Sequence, residues 1–192
     1  MVLLLQDKYI GAQFMKPINI LAISGSLRKN SSNGAIINAF TAMAPANVKV
    51  TLYDGLSNLP HFDPGLDTEN PPAVVTDLRE QLKQADGVLI CTPEYAFGIP
   101  AALKNALEWT VSSGEFVDKP TALITASSQG QHGHAALQLV LGAISANLTE
   151  DAKLLIPFVR TKVNPDGTVT DTEVLASLKT VLQALIDTMN HS

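Results

Sequence analysis

The sequence predicts a doubly wound α/β fold, one parallel sheet of five strands with helices on both faces. Three observations carry the prediction. Five short apolar runs with strand character are spread along the 192 residues. A helical pattern follows each of them, so strand and helix alternate in the order that builds a parallel sheet. The first, third and fourth runs are apolar almost throughout, which is how strands covered on both faces read.

Taken in order, INILAIS (18–24) is the first strand, and the helical run 34–44 follows it. VKVTLYD (48–54) alternates apolar and polar residues, as an edge strand does. PPAVVTDLREQLKQA (71–85) opens on prolines and repeats Val74, Val75, Leu78, Leu82 and Ala85 along one stripe. GVLICTP (87–93) is the third strand. PAALKNALEWTVS (100–112) begins on Pro100 and sets Leu103, Ala106, Leu107 and Thr110 on one face. TALITAS (121–127) is the fourth strand, and HAALQLVLGAISANL (134–148), apolar almost all round, predicts a helix that is largely buried. AKLLIPF (152–158) is the fifth strand and NPDG (164–167) a turn signal. DTEVLASLKTVLQALIDTMN (171–190) has an acidic first turn and an amphipathic stripe through Val174, Leu178, Val181, Leu182 and Leu185. For five strands the commonest open arrangement is flavodoxin-like, with strand order 2-1-3-4-5. Residues 17–192 read as one domain, and residues 1–16 as a mobile N-terminal extension. The loop 55–72 is long and turn-rich, a length that often carries function.

Composition narrows the function classes. The chain is 46% hydrophobic and 16% charged, with a net charge of −5. Such an acidic balance argues against nucleic acid and anionic membranes as partners, since both need clustered Lys and Arg. No run reaches the ~18 apolar residues of a membrane span. The N-terminus shows neither a basic leader nor a small-residue cleavage site. The single cysteine, Cys91, sits in an apolar run and reads as core, which suits a reducing, cytoplasmic setting.

In an open α/β sheet, ligands lie beyond the carboxyl ends of the strands where the order reverses, here between strands 1 and 3. The loops at that point are SGSLRKNSSN (24–33) and PEYAFGIP (93–100). The first offers the hydroxyls of Ser24, Ser26, Ser31 and Ser32, the guanidinium of Arg28 and a helix N-terminus, a set suited to a phosphate monoester. Ser24, at the strand end, is expected to serve the backbone. A Walker A loop is excluded because Gly34 is too far from Gly25 and Ala35 stands where lysine is required. The Rossmann glycine pattern and a phosphatase-type cysteine are absent as well. The alternative is a polar turn with Asn33 capping the helix. In the second loop, Glu94, Tyr95 and Phe97 offer a flat wall for a planar ring, and Gly98 permits close backbone approach; the alternative is an ordinary turn whose aromatics fill a local core. A third loop, SSQGQHGHA (127–135), carries backbone donors for the polar edge of such a ring. Its His132 and His134 lack a third ligand, so no metal site is expected.

These motifs together resemble those of the NADPH-dependent FMN reductase family, flavodoxin-like proteins that include quinone, azo-dye and chromate reductases. GSLRKNSSN is similar to the family's G-S-x-R-x-x-S-x-N loop, and TPEYAFGIPAALKNALEW to its T-P-E-Y-N-x-x-x-P-x-x-L-K-N-A-x-D-W segment. The resemblance implies that Ser26, Arg28, Ser31, Ser32 and Asn33 hold the FMN phosphate. It implies that Pro93, Glu94, Tyr95, Ala96 and Gly98 line the isoalloxazine ring, and that Ser127, Ser128 and Gly130 approach its other edge. Ala96 departs from the family's asparagine, and Phe97 is bulkier than many residues at its position. The implied activity is ping-pong: NAD(P)H, as NADPH or NADH, passes hydride to flavin N5, and a quinone, azo compound or metal oxyanion then takes it up. No acid–base residue is nominated; Tyr95 is the side chain expected to position ring or substrate. A homodimer or homotetramer is implied, with residues 103–109 at the interface. The alternative is an FMN-binding electron carrier without NAD(P)H oxidase activity, but carrier loops are threonine-rich and lack the arginine. A nucleotide hydrolase on the same fold lacks its lysine, carboxylates and nucleophile.

Overall fold

The computed structural model describes residues 16–191, so the expectation for the segment before Lys16 lies outside the described residues. Five strands, β1 (Ile18–Ser24), β2 (Val48–Tyr53), β3 (Gly87–Thr92), β4 (Thr121–Ala126) and β5 (Lys153–Ile156), form one sheet in the order β2-β1-β3-β4-β5. Every neighbouring pair is parallel, with Ile20 opposite Val50 on one side and Gly87 on the other. This is the flavodoxin-like arrangement that the alternation predicts.

The helices are α1 (Ser32–Ala42), α2 (Ala73–Gln84), α3 (Ala101–Glu108), α4 (Gln131–Ala143) and α5 (Thr172–Asn190). Two cores flank the sheet. On one face Ile36 and Phe40 of α1 and Leu178, Leu182 and Leu185 of α5 meet Ile20, Ala22 and Leu89. On the other, Leu78 and Leu82 of α2, Leu103 and Leu107 of α3 and Leu137 and Leu141 of α4 meet Leu21, Ile23 and Ile90. β3 and β4 are buried at every residue, which is why their sequences are continuously apolar. Each Leu or Ile so covered contributes about 1.5–3 kcal/mol.

Two expectations need correction, and one loop gains a structural role. α4 is not largely buried: only Gly133, Leu137 and Leu141 are, and Leu139 is 77% exposed. An outer-layer helix has one face against the sheet, whatever the composition of the other. The fifth strand stops at Ile156, because Pro157 has no N–H to continue the ladder and Phe158 turns to a φ of 52°. The long loop 55–72 is docked on α3. Asn105 and Trp109 both donate to the Pro60 carbonyl at 2.9 Å, and the buried Arg79 joins Asp67 (2.7 Å) to the Trp109 carbonyl (2.6 Å). No helix among the described residues is long and apolar enough to cross a membrane.

Candidate active site

β1 has β2 on one side and β3 on the other, so the loops after β1 and β3 open a crevice between them. The β1–α1 loop lies against β3: Gly25 donates to the Cys91 carbonyl at 2.9 Å, and a Cβ on Gly25 would come within 2.1 Å of Thr92 Oγ1. Only glycine permits that approach. Ser24 and Ser26 knit the loop, Ser24 Oγ donating to the Ser26 carbonyl (3.1 Å) and Ser26 Oγ accepting from the Arg28 N–H (3.4 Å). Ser31, not Asn33, caps α1, its Oγ accepting from Gly34 N at 3.0 Å. The first N–H groups of α1, at Ser32 and Asn33, have no acceptor within the helix and carry its partial positive charge.

Asn33 is buried and works across the sheet. Its Nδ2 donates to the Ala126 carbonyl at the end of β4 (3.1 Å), and the Cys91 thiol donates to its Oδ1 (3.3 Å). Burial pushes that thiol well above its ordinary pKa, so it stays protonated as a donor. One asparagine thus fixes the start of α1 to β3 and β4 together.

After β3 the chain forms a two-residue hairpin. Tyr95 and Gly98 exchange both backbone bonds (3.0 and 2.9 Å), and Ala96 and Phe97 occupy φ values of 49° and 59°. This is type I′ geometry, which favours Asn-Gly and strains an alanine and a phenylalanine. Glu94 locks the hairpin to the next loop: its N–H donates to Ser127 Oγ (3.2 Å), and its Oε2 accepts from Gly133 N in the first turn of α4 (2.7 Å). A Cβ on Gly133 would stand 3.1 Å from the Glu94 side chain, whereas one on Gly98 would meet nothing nearer than 3.8 Å. Glycine at 133 is what lets the start of α4 pack against the hairpin. The two histidines lie in the first turn of α4 and diverge. His134 Nδ1 meets Thr125 Oγ1 at 2.9 Å, while the His132 ring stands edge-on to Phe97 at 5.0 Å. Burial and nearby Lys153 hold His134 below its ordinary pKa, favouring the neutral ring.

These loops enclose a cleft of about 510 Å³, within the range of small-ligand sites. It gathers Ser26, Arg28, Ser31, Ser32, Asn33, Pro93, Glu94, Tyr95, Ser127 and Ser128 on one wall or another. Ala96, Gly98 and Gly130 do not line it. They shape its edges, Gly130 by adopting a φ of 99° just before α4. The 55–72 loop does not reach it. The sequence missed the fourth wall, Phe158–Thr161, which is drawn in because Phe158 N and Val159 N donate to the carbonyls of Ser128 (3.0 Å) and Ser127 (3.1 Å). Its signal was Pro157 inside an apparent strand.

The cleft thus joins a helix N-terminus bearing serines and an arginine to a wall carrying Tyr95, 53% exposed. A sequence profile described as NADPH-dependent FMN reductase matches residues 18–158. The chain belongs to that family. It is 34% identical over 177 residues to a quinone reductase of Escherichia coli K12, covering 87% of this chain and 93% of that protein. It is 30% identical over 174 residues to an NAD(P)H-dependent FMN reductase of Pseudomonas aeruginosa, covering 88% and 93%. Among solved structures, the flavoenzyme NAD(P)H:(acceptor) oxidoreductase FerB of Paracoccus denitrificans superposes with a TM-score of 0.80 at 25% identity, covering 91% of this chain and 98% of that one. This FMN reductase family member is a flavin-dependent oxidoreductase, and the electron-carrier alternative is set aside.

Proposed function

We propose that the cleft binds FMN with its phosphate on the β1–α1 loop and its ring against the β3–α3 hairpin, and that the enzyme reduces a quinone or similar small acceptor with NAD(P)H. The observation that carries this reading is the donor set at one end of the cleft. The unsatisfied N–H groups of α1, the Ser26, Ser31 and Ser32 hydroxyls and the exposed Arg28 suit a dianionic phosphate. Asn33 contributes its backbone N–H and the rigidity of its ties to Ala126 and Cys91. Pro93, Glu94 and Tyr95 provide the ring wall, and Ser127 and Ser128 the opposite edge, with Ala96, Gly98 and Gly130 holding the loop shapes.

Bound FMN would supply hydride acceptance at N5 and its return to an acceptor, chemistry no side chain here offers. The protein's part is to orient ring and substrates and to keep the cleft's frame fixed. Glu94 serves that frame through Gly133, and Tyr95 is left free to position a substrate. No acid–base group or metal is assigned. Donor and acceptor use the one open face in turn, so steady-state lines at varied NADPH and quinone should run parallel; converging lines would contradict the shared face. The same reading carries a cytoplasmic homodimer or homotetramer that needs neither nucleic acid nor membrane. Light scattering on the purified protein tests the assembly.

A further inference from the structure

Beyond the phosphate loop a second groove of about 780 Å³ adjoins the cleft and shares Arg28, Ser31, Ser32 and Arg160 with it. Its far side is polar, with Asn30 and Asn38 on one bank and Asn164 on the other. Asn164 is held by a hairpin, donating from its N to the Thr168 carbonyl at 2.8 Å and accepting from Gly167 N at 2.9 Å. Arg160 stands between cleft and groove, on the turn that Val159 N pins to the Ser127 carbonyl at 3.1 Å. Its neighbour Lys162 is engaged with Asp171 at 2.7 Å. Arg160 is exposed and, among the described residues, has no acidic partner.

We propose that Arg160 and this groove form a phosphate subsite for the hydride donor, separate from the site that holds the flavin phosphate. The inference rests on the FMN and NAD(P)H reading above. The flavin brings one phosphate, and Arg28 with the α1 N-terminus already faces it. The donor must reach the same cleft carrying a pyrophosphate and, in NADPH, a further 2′-phosphate. A chain of net charge −5 repels such a ligand unless local cations meet it. Arg28 and Arg160 are the basic residues lining both cavities. One acid, Asp166, lines the groove, its carboxylate accepting from Thr168 N (2.9 Å), and Glu94 in the cleft accepts from Gly133 N (2.7 Å); against these stand the two arginines. The cleft alone has room for about one cofactor, so the donor's adenosine end must extend beyond it, and the groove is the polar space that continues it.

The test is Arg160→Gln in the FMN-loaded enzyme, with three readouts. FMN affinity is measured by quenching of flavin fluorescence, binding of 2′,5′-ADP by calorimetry, and KM for NADPH and NADH by steady-state kinetics. Loss of one charge-assisted phosphate contact should weaken 2′,5′-ADP and raise the NADPH KM about 10- to 100-fold. FMN affinity should fall by a smaller factor than donor affinity, since Arg160 borders the flavin cleft as well as the groove. A KM increase confined to NADPH assigns the 2′-phosphate to the groove, and an equal increase with NADH assigns the pyrophosphate; both sustain the subsite. Unchanged donor affinity overturns it, as does a loss of FMN affinity equal to or greater than the loss of donor affinity, which would make Arg160 a flavin ligand. Should NADPH fail to reduce the wild-type flavin, the functional reading falls instead, so the two failures are separable.

Discussion

Arg28 sits beside the N–H groups that α1 leaves without partners, and no acid among the described residues neutralises it. Arg28→Ala should therefore weaken FMN retention about 10- to 100-fold, the loss expected for one charge-assisted phosphate contact, while the melting temperature of the flavin-free protein stays unchanged. Dialysis followed by measurement of bound flavin checks this; equal retention would remove Arg28 from the phosphate site. Ala96 makes a prediction of the other kind. Its φ of 49° is paid for by no side-chain bond, whereas asparagine tolerates that conformation. Ala96→Asn should stabilise the fold by on the order of 1 kcal/mol, or about 2–4 °C in Tm for a chain of this size. A melt at or below the wild-type temperature would show that the hairpin strain is relieved elsewhere.

At the scale of elements, the loop after β2 shows how a long connection is held without secondary structure. Arg79 of α2 is buried and bridges Asp67 to the C-terminal carbonyl of α3 at Trp109, and Ser112 donates to the same carboxylate at 2.6 Å. These hydrogen bonds, from Ser112 first and Arg79 second, hold Asp67 below the ordinary carboxylate range. Its folded pKa lies below the unfolded value of about 3.9, so its contribution to stability is complete above that pH and is lost as pH falls through the folded pKa. Asp67→Asn should be less stable than wild type at neutral pH, and the gap should close in acid. Urea melts along that pH range test it; a gap independent of pH would mean the carboxylate charge is irrelevant.

The whole molecule was legible in the sequence wherever period and burial coincide. β3 and β4 are covered on both faces and read as continuous apolar runs. β2 lies at the edge and alternates from Val48 to Thr51, where Leu52 turns outward and Tyr53 inward. The two chemistry-bearing loops were found because sheet order alone places them at one crevice. What stayed hidden depends on contacts between distant residues. Asn33 reaches the Ala126 carbonyl across 93 positions, and Glu94 caps a helix 39 positions away. The Phe158–Thr161 wall was concealed because its apolar start extends the strand pattern, while Pro157 and the left-handed Phe158 end the strand in space. Exposure of Leu139 was illegible for a related reason, since composition does not say which side of a helix meets the sheet.

If the β1–β3 cleft holds FMN for reduction by a nicotinamide donor, the bound flavin must accept hydride in place. Anaerobic addition of NADPH to the FMN-loaded protein, followed by visible absorbance, tests it most directly. Rapid bleaching of the flavin is expected, with recovery of its colour on adding a quinone. A flavin that stays oxidised in the presence of NADPH and NADH alike would contradict it.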